Sequence, residues 1–191
     1  MGRSRLTPER ETELFSAVLD LLREVGYDAL TMDAVAARTR SSKATLYRQW
    51  QGKPQLVARA LRHCKPVSTA DVDTGSLRGD FAELVRRADD EGQVEKDAAL
   101  MRGLGMAIHG NPDLHQALRE VLLDPEVTGL NAMLTRAIDR GEIAADCPAL
   151  AFAPHMLVGA LIARQLIEDR SADAAFLASY LDAVVLPALG V

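Results

Sequence analysis

Aromatic side chains are scarce in this sequence: one Trp, three Tyr and four Phe make up 4% of 191 residues. The apolar 48% therefore rests mainly on Leu, Ala and Val, a supply that favours helices over sheets. Strand-like alternation of useful length is missing, as are internal repeats and low-complexity segments. The two cysteines, Cys64 and Cys147, are too few for a disulfide framework and fit a reducing cytosol. No uninterrupted apolar run reaches the roughly 18 residues of a membrane span. The basic residues near the N-terminus are not followed by the apolar stretch of a secretory signal. These absences predict a cytoplasmic protein without a membrane partner. His63, His109, His115 and Cys147 show neither His-x3-His nor Cys-x2-Cys spacing, so no metal is expected. A Gly-rich phosphate loop, a nucleophile elbow and a paired-carboxylate motif are all lacking, which argues against an enzyme and against a cofactor.

Charge is present but unevenly placed. Residues 1–65 hold 12 Lys and Arg against 7 Asp and Glu, whereas the remainder holds 10 against 20. A basic first third on an acidic body predicts that one end meets a polyanion.

The helical spacing is regular. Thr7-Pro8-Glu9 opens a helix with a capping hydroxyl, Pro at the first helical position and an acid at the positive dipole end. Leu14, Val18, Leu21, Leu22 and Val25 continue it, and Gly26 stops it. Thr31 caps a second helix and Ser42 a third; Gly52-Lys53-Pro54 starts a fourth. Three short helices joined by tight turns outline a helix-turn-helix.

Further on, Ser76 caps a helix that Gly92 ends, and another runs from about 95 to 109. Asn111-Pro112 caps the next, in which Asp124-Pro125 is either a kink or a break. Pro148 starts an apolar helix with Pro154 near its first turn, and Ser171 caps the last one.

A recognition helix must enter a major groove about 12 Å wide with small or polar residues at its tip. Ser42, Lys43, Ala44 and Thr45 supply such a tip. Lys43 can offer its ammonium to guanine, Thr45 can donate to a base or phosphate, and the Ala44 methyl can approach a thymine methyl. Tyr47 and Arg48 follow one turn later, placed for phosphate oxygens. Lys53 and Thr31, at two helix starts, can flank the groove.

These residues carry a resemblance. The run Gly-Tyr-Asp-Ala-Leu-Thr at 26–31, the helix Val35-Ala36-Ala37-Arg38, Ser42-Lys43-Ala44-Thr45-Leu46-Tyr47, then Trp50, Lys53 and Leu56, resembles the N-terminal domain of the TetR family of bacterial transcription regulators. The resemblance implies an all-α fold of about nine helices. A helix-turn-helix domain over residues 1–58 would precede a ligand-binding and dimerisation domain over 59–191. It implies a homodimer on a palindromic double-stranded DNA operator, released by a small-molecule effector whose identity is open.

By position, the family's recognition-helix contacts fall on Lys43, Ala44, Thr45, Tyr47 and Arg48, and its phosphate contacts on Thr31, Tyr47, Gln49 and Lys53. Arg40 stands in the turn where Gly is usual, and would need a left-handed backbone or a different turn. It also adds a positive charge near the DNA.

The effector pocket is expected around Met101, Leu104, Met106, His109, Leu130, Met133 and Met156. The dimer interface is expected on the last two long helices, through Leu157, Leu161, Arg164, Phe176, Tyr180 and Val184. The sign of regulation stays open. An activator, or a regulator answering a protein partner or no ligand, has the same sequence outline.

Overall fold

The computed structural model describes residues 7–63, 68–88, 100, 104 and 107–191. Among these, every regular element is helical. In chain order they are α1 (Pro8–Ala29), α2 (Met32–Thr39), α3 (Lys43–Trp50), α4 (Lys53–His63), α5 (Leu77–Ala88), α6 (Pro112–Leu118), α7 (Asp124–Asp139), α8 (Ala153–Glu168), α9 (Ala174–Tyr180) and α10 (Leu186–Leu189). The all-α expectation is met. Gly92 and most of the helix expected over 95–109 lie outside the described residues.

The chain divides into two compact units, residues 1–65 with 99–124, and residues 66–98 with 125–191. In the first, α1 buries Leu14, Phe15, Val18, Leu19, Leu21 and Leu22. Leu56, Val57, Ala60 and Leu61 of α4 and Leu114, Ala117 and Leu118 of α6 complete the core around them. Trp50 meets Phe15 edge-on at 5.9 Å. Each fully buried Leu or Val contributes roughly 1.5–3 kcal/mol. This packing places all of α4 with the first unit, past the boundary expected after residue 58.

The short-range signals act as read. Thr7, Thr31, Ser42 and Asn111 each cap a helix by accepting from the backbone N–H three residues on. Gly26 interrupts α1 at φ +73°, ψ 172°. Val25, just before it, is exposed rather than part of the buried face.

Pro125 does not break its helix. A π turn, Arg119–Leu123, precedes it, and α7 follows directly. Pro125 has no N–H for the carbonyl of Val121 four residues back. The Arg62 guanidinium of α4 takes that place, donating to Val121 O at 2.8 Å. A second π turn, Leu181–Val185, stands in the same relation to Pro187.

In the second unit, α7 packs Leu130, Met133, Leu134 and Ala137 against Leu77 and Phe81 of α5 and against Val185, Leu186 and Leu189 near the C-terminus. Ser76 caps α5 through the N–H of Gly79. The connector before it is tied down by a charged cluster. Asp80, fully buried, accepts from Thr74 N at 2.6 Å and Thr74 Oγ1 at 2.7 Å. Its other oxygen lies 3.8 Å from the Arg140 guanidinium. Arg140 also pairs with Glu142, which accepts from Leu77 N at 2.7 Å. Arg136 donates to Val72 O at 2.6 Å.

Two expectations about the last helices change. Asp173, not Ser171, caps α9, accepting from Phe176 N at 2.8 Å. The carboxylate two residues nearer the helix is the one in register. The stretch Pro148–Glu168 has a mean hydropathy of 1.5 over its best 18 residues, enough by length and composition to cross a membrane. Counting uninterrupted runs understates this, because the 18-residue mean stays at 1.5 even with His155 and Arg164 dividing the apolar residues.

Candidate nucleic-acid interface

The helix-turn-helix is built by burial on one side and polarity on the other. Val35 of α2 and Leu46 and Trp50 of α3 are fixed in the core. With those positions committed, Ser42, Lys43, Ala44, Tyr47 and Arg48 must face outward, and all five are exposed. Tyr47, at 46% exposure, is a surface phenol rather than a core aromatic. Thr45 and Gln49 are half-buried on the flanks of this face.

The turn between α2 and α3 depends on Arg40. Its backbone is left-handed, φ 51°, ψ 37°. Ser41 N donates to Ala36 O at 3.0 Å and Arg40 N to Ala37 O at 3.4 Å, the paired bonds of a Schellman stop. Of the two geometries open from sequence, the structure has the left-handed one. A residue with a Cβ pays about 1 kcal/mol or more there. R40G is therefore expected to raise stability by about 0.5–1 kcal/mol after the entropy Gly adds to the unfolded chain. It should also lower DNA affinity by removing an exposed cation. Thermal melts and fluorescence anisotropy check both, and a lower melting temperature would contradict the first.

The two lysines of this face are already engaged. Lys43 Nζ donates to Asp33 Oδ2 at 2.9 Å, and this hydrogen bond holds the Lys43 ammonium above its usual range. Lys53 Nζ donates to Tyr27 O at 2.9 Å and lies 4.2 Å from the centre of the Tyr27 ring. The Tyr27 phenol is buried without a hydrogen-bond partner. Burial, with Asp113 and Asp28 nearby, pushes its pKa up to about 12. Thr31 and Ser42 are occupied as caps, Ser42 Oγ also lying 2.8 Å from Thr45 Oγ1. Asp33 and Tyr27 are thus parts of the site that sequence reasoning passed over. Asp33 was visible only as an acid in a helix's first turn, ten residues from Lys43.

Residues 14–60 match the family described as bacterial regulatory proteins, tetR family, and residues 71–184 match the Tetracyclin repressor-like C-terminal domain. The chain belongs to the TetR family. An HTH-type transcriptional regulator of Mycobacterium tuberculosis (strain ATCC 25618 / H37Rv) is 36% identical over 183 residues, covering 94% of this chain and 88% of that protein. The DNA-binding transcriptional repressor TetR of Mycobacteroides abscessus is 32% identical over 178 residues, covering 93% and 92%. Among solved structures, the TetR family transcription regulator SCO0332 superposes with a TM-score of 0.67 at 26% identity, over 94% of this chain and 98% of that one. Salmonella enterica GusR, at 18% identity, shares the fold with a TM-score of 0.68 over 99% and 100%. The protein is a DNA-binding transcriptional regulator, not an enzyme.

The residues that this TetR-family regulator was expected to place around an effector fall in different parts of the structure. Met101 and Met106 lie outside the described residues. Leu104 is buried in the core of the first unit, and Leu130 and Met133 in the core of the second. His109 is exposed. Methionine and leucine at helical spacing have filled core here. A cleft of about 300 Å³ lies along α8 and α9. Met156 alone of the expected set lines it, with Gly159, Ala163, Arg164, Phe176 and Tyr180.

The residues expected at the dimer interface divide. Leu161 and Val184 are exposed, while Leu157, Phe176 and Tyr180 are half-buried. Arg164 is turned inward. Its guanidinium lies 4.1 Å from the Phe176 ring centre and within 3.4 Å of Asp173 and 3.7 Å of Glu168. A guanidinium needs carboxylates and an aromatic face when buried; Phe176 of α9, its cap Asp173 and Glu168 of α8 supply them. Beside it an apolar strip stays open: Ile162 is 63% exposed, Leu166 84% and Ile167 79%.

Proposed function

We propose that this regulator is a homodimeric repressor, acting in the cytoplasm, that binds a palindromic operator and leaves it when a small molecule binds. The outward face of α3, polar and basic over a buried back, supports base reading by Lys43, Ala44 and Thr45. Tyr47 and Arg48 stand beside them for phosphate, with Thr31, Arg40, Gln49 and Lys53 around the rim. The open strip on α8 supports dimerisation: Val158, Leu161, Ile162 and Leu166 recur at one-face spacing. Two-fold pairing of such strips sets two recognition helices on two half-sites. A second copy suits this strip better than lipid does, since Arg164 lies within the same helix and is held by intramolecular carboxylates. A ligand that binds the DNA-free conformation better would shift the population off the operator.

The observation that carries the reading is that the side chains of the α3 tip have no part in the core. The experiment is a fluorescence-anisotropy titration of two variants across a salt series. Lys53→Ala should weaken binding to all sequences alike and reduce the salt slope by about 1. Lys43→Ala should relax preference among sequences by roughly 1–3 kcal/mol at the base it faces. Variants that leave both affinity and preference at wild-type values would overturn the assignment. Repeating the titration with compounds that raise the melting temperature tests release, and a stabilising compound that never lowers operator affinity speaks against an effector.

A further inference from the structure

Asp33 is the acid that meets the tip of the DNA face. It lies in the first turn of α2, two residues after the Thr31 cap, where the free N–H groups of the helix start would otherwise attract a phosphate. Its carboxylate reaches across the turn to Lys43 at the tip of α3, 2.9 Å away, and both side chains are more than half exposed. Nothing in the core holds the pair together. An exposed ion pair of this kind is weak enough to be exchanged for another acceptor. In the free protein, then, the cation nearest the bases is neutralised, and an anion stands where DNA backbone would approach.

We propose that Asp33 is a specificity-determining residue, withholding Lys43 from DNA phosphate so that DNA of arbitrary sequence is held weakly. The inference rests on α3 being the helix that meets DNA. On random DNA, a phosphate offers Lys43 only what Asp33 already gives, and Asp33 repels that phosphate. At a matching base pair, a fixed acceptor in the groove, such as guanine O6 or N7, draws the ammonium away from Asp33. The pair thus lowers the affinity that carries no sequence information more than the affinity that does. Asp33 also complements the α2 dipole, a purely structural role that would not depend on Lys43.

The test uses the full-length protein, a 30-base-pair duplex of random sequence, and the duplex that the wild type enriches from a randomised library. D33N should raise affinity for the random duplex about 3- to 10-fold and steepen its salt slope by about 0.9, the mark of one added phosphate contact. Affinity for the enriched duplex should rise less, so the ratio between the two falls. In D33N/K43M the gain on random DNA should disappear. Unchanged binding of random DNA by D33N would overturn the proposal. So would a gain that survives in D33N/K43M, which would mean charge removal alone. Melting temperatures of the same variants register the dipole role separately. Whether α3 meets DNA at all is read independently from Arg48→Ala on the same helix, which should lower the salt slope by about 1 without involving Asp33.

Discussion

Replacing Ile162 and Leu166 together by Glu is expected to convert the protein to a monomer and to lower operator affinity by at least 100-fold. Both residues are largely open to solvent within one chain, so their removal should leave the fold intact. In a two-fold pair each substitution counts twice. Four large apolar side chains returned to water at roughly 1.5 kcal/mol or more each amount to about 6 kcal/mol, or on the order of 10⁴-fold in association. Four carboxylates brought face to face add repulsion. A single recognition helix then meets a single half-site, and the linkage between half-sites is lost. Light scattering after size exclusion measures the mass, and anisotropy the affinity. A double variant that stays dimeric would place the interface elsewhere.

The second large effect concerns stability. Asp80→Ala is expected to cost about 3–5 kcal/mol, the range for removing one partner of a buried charge cluster. The loss leaves Thr74 N and Oγ1 without their acceptor and Arg140 short of one neutralising carboxylate. For a chain of this size that corresponds to a melting temperature lower by roughly 6–15 °C. Asp80→Asn keeps an oxygen for Thr74 and should cost less. Circular dichroism melts decide it; a fall of no more than about 2 °C for Asp80→Ala would mean that the cluster is not energetically coupled.

What was legible in the sequence is what short-range chemistry determines. Caps at Thr7, Thr31, Ser42 and Asn111 need only a hydroxyl or amide three residues before a backbone N–H. The turn at Arg40 was legible as one of two geometries, of which the structure has the left-handed one. The outward side of α3 followed from the positions that Leu46 and Trp50 claim for the core. What was not legible depends on distant partners. The burial of Asp80 requires Arg140, sixty residues on. The tolerance of Pro125 requires Arg62 from another helix. Arg164 reads as an interface cation until Asp173, Glu168 and Phe176 are seen around it. That Leu130 and Met133 fill core was not legible, because a Met or Leu at helical spacing gives the same pattern whether it lines a cavity or fills a core. Asp33 lies between these cases: its place on α2 was plain, but its reach to Lys43 depends on the turn geometry.

The most direct test of the central claim, that two copies of α3 read DNA across a two-fold axis, is enrichment of duplexes from a randomised library followed by hydroxyl-radical footprinting. The account predicts an inverted repeat whose half-sites lie one helical turn or a multiple apart, each protected on one face, and lost to enrichment when Lys43, Tyr47 and Arg48 are replaced together by Ala. A pool without inverted symmetry, or one that the triple variant enriches as well as the wild type, would contradict it.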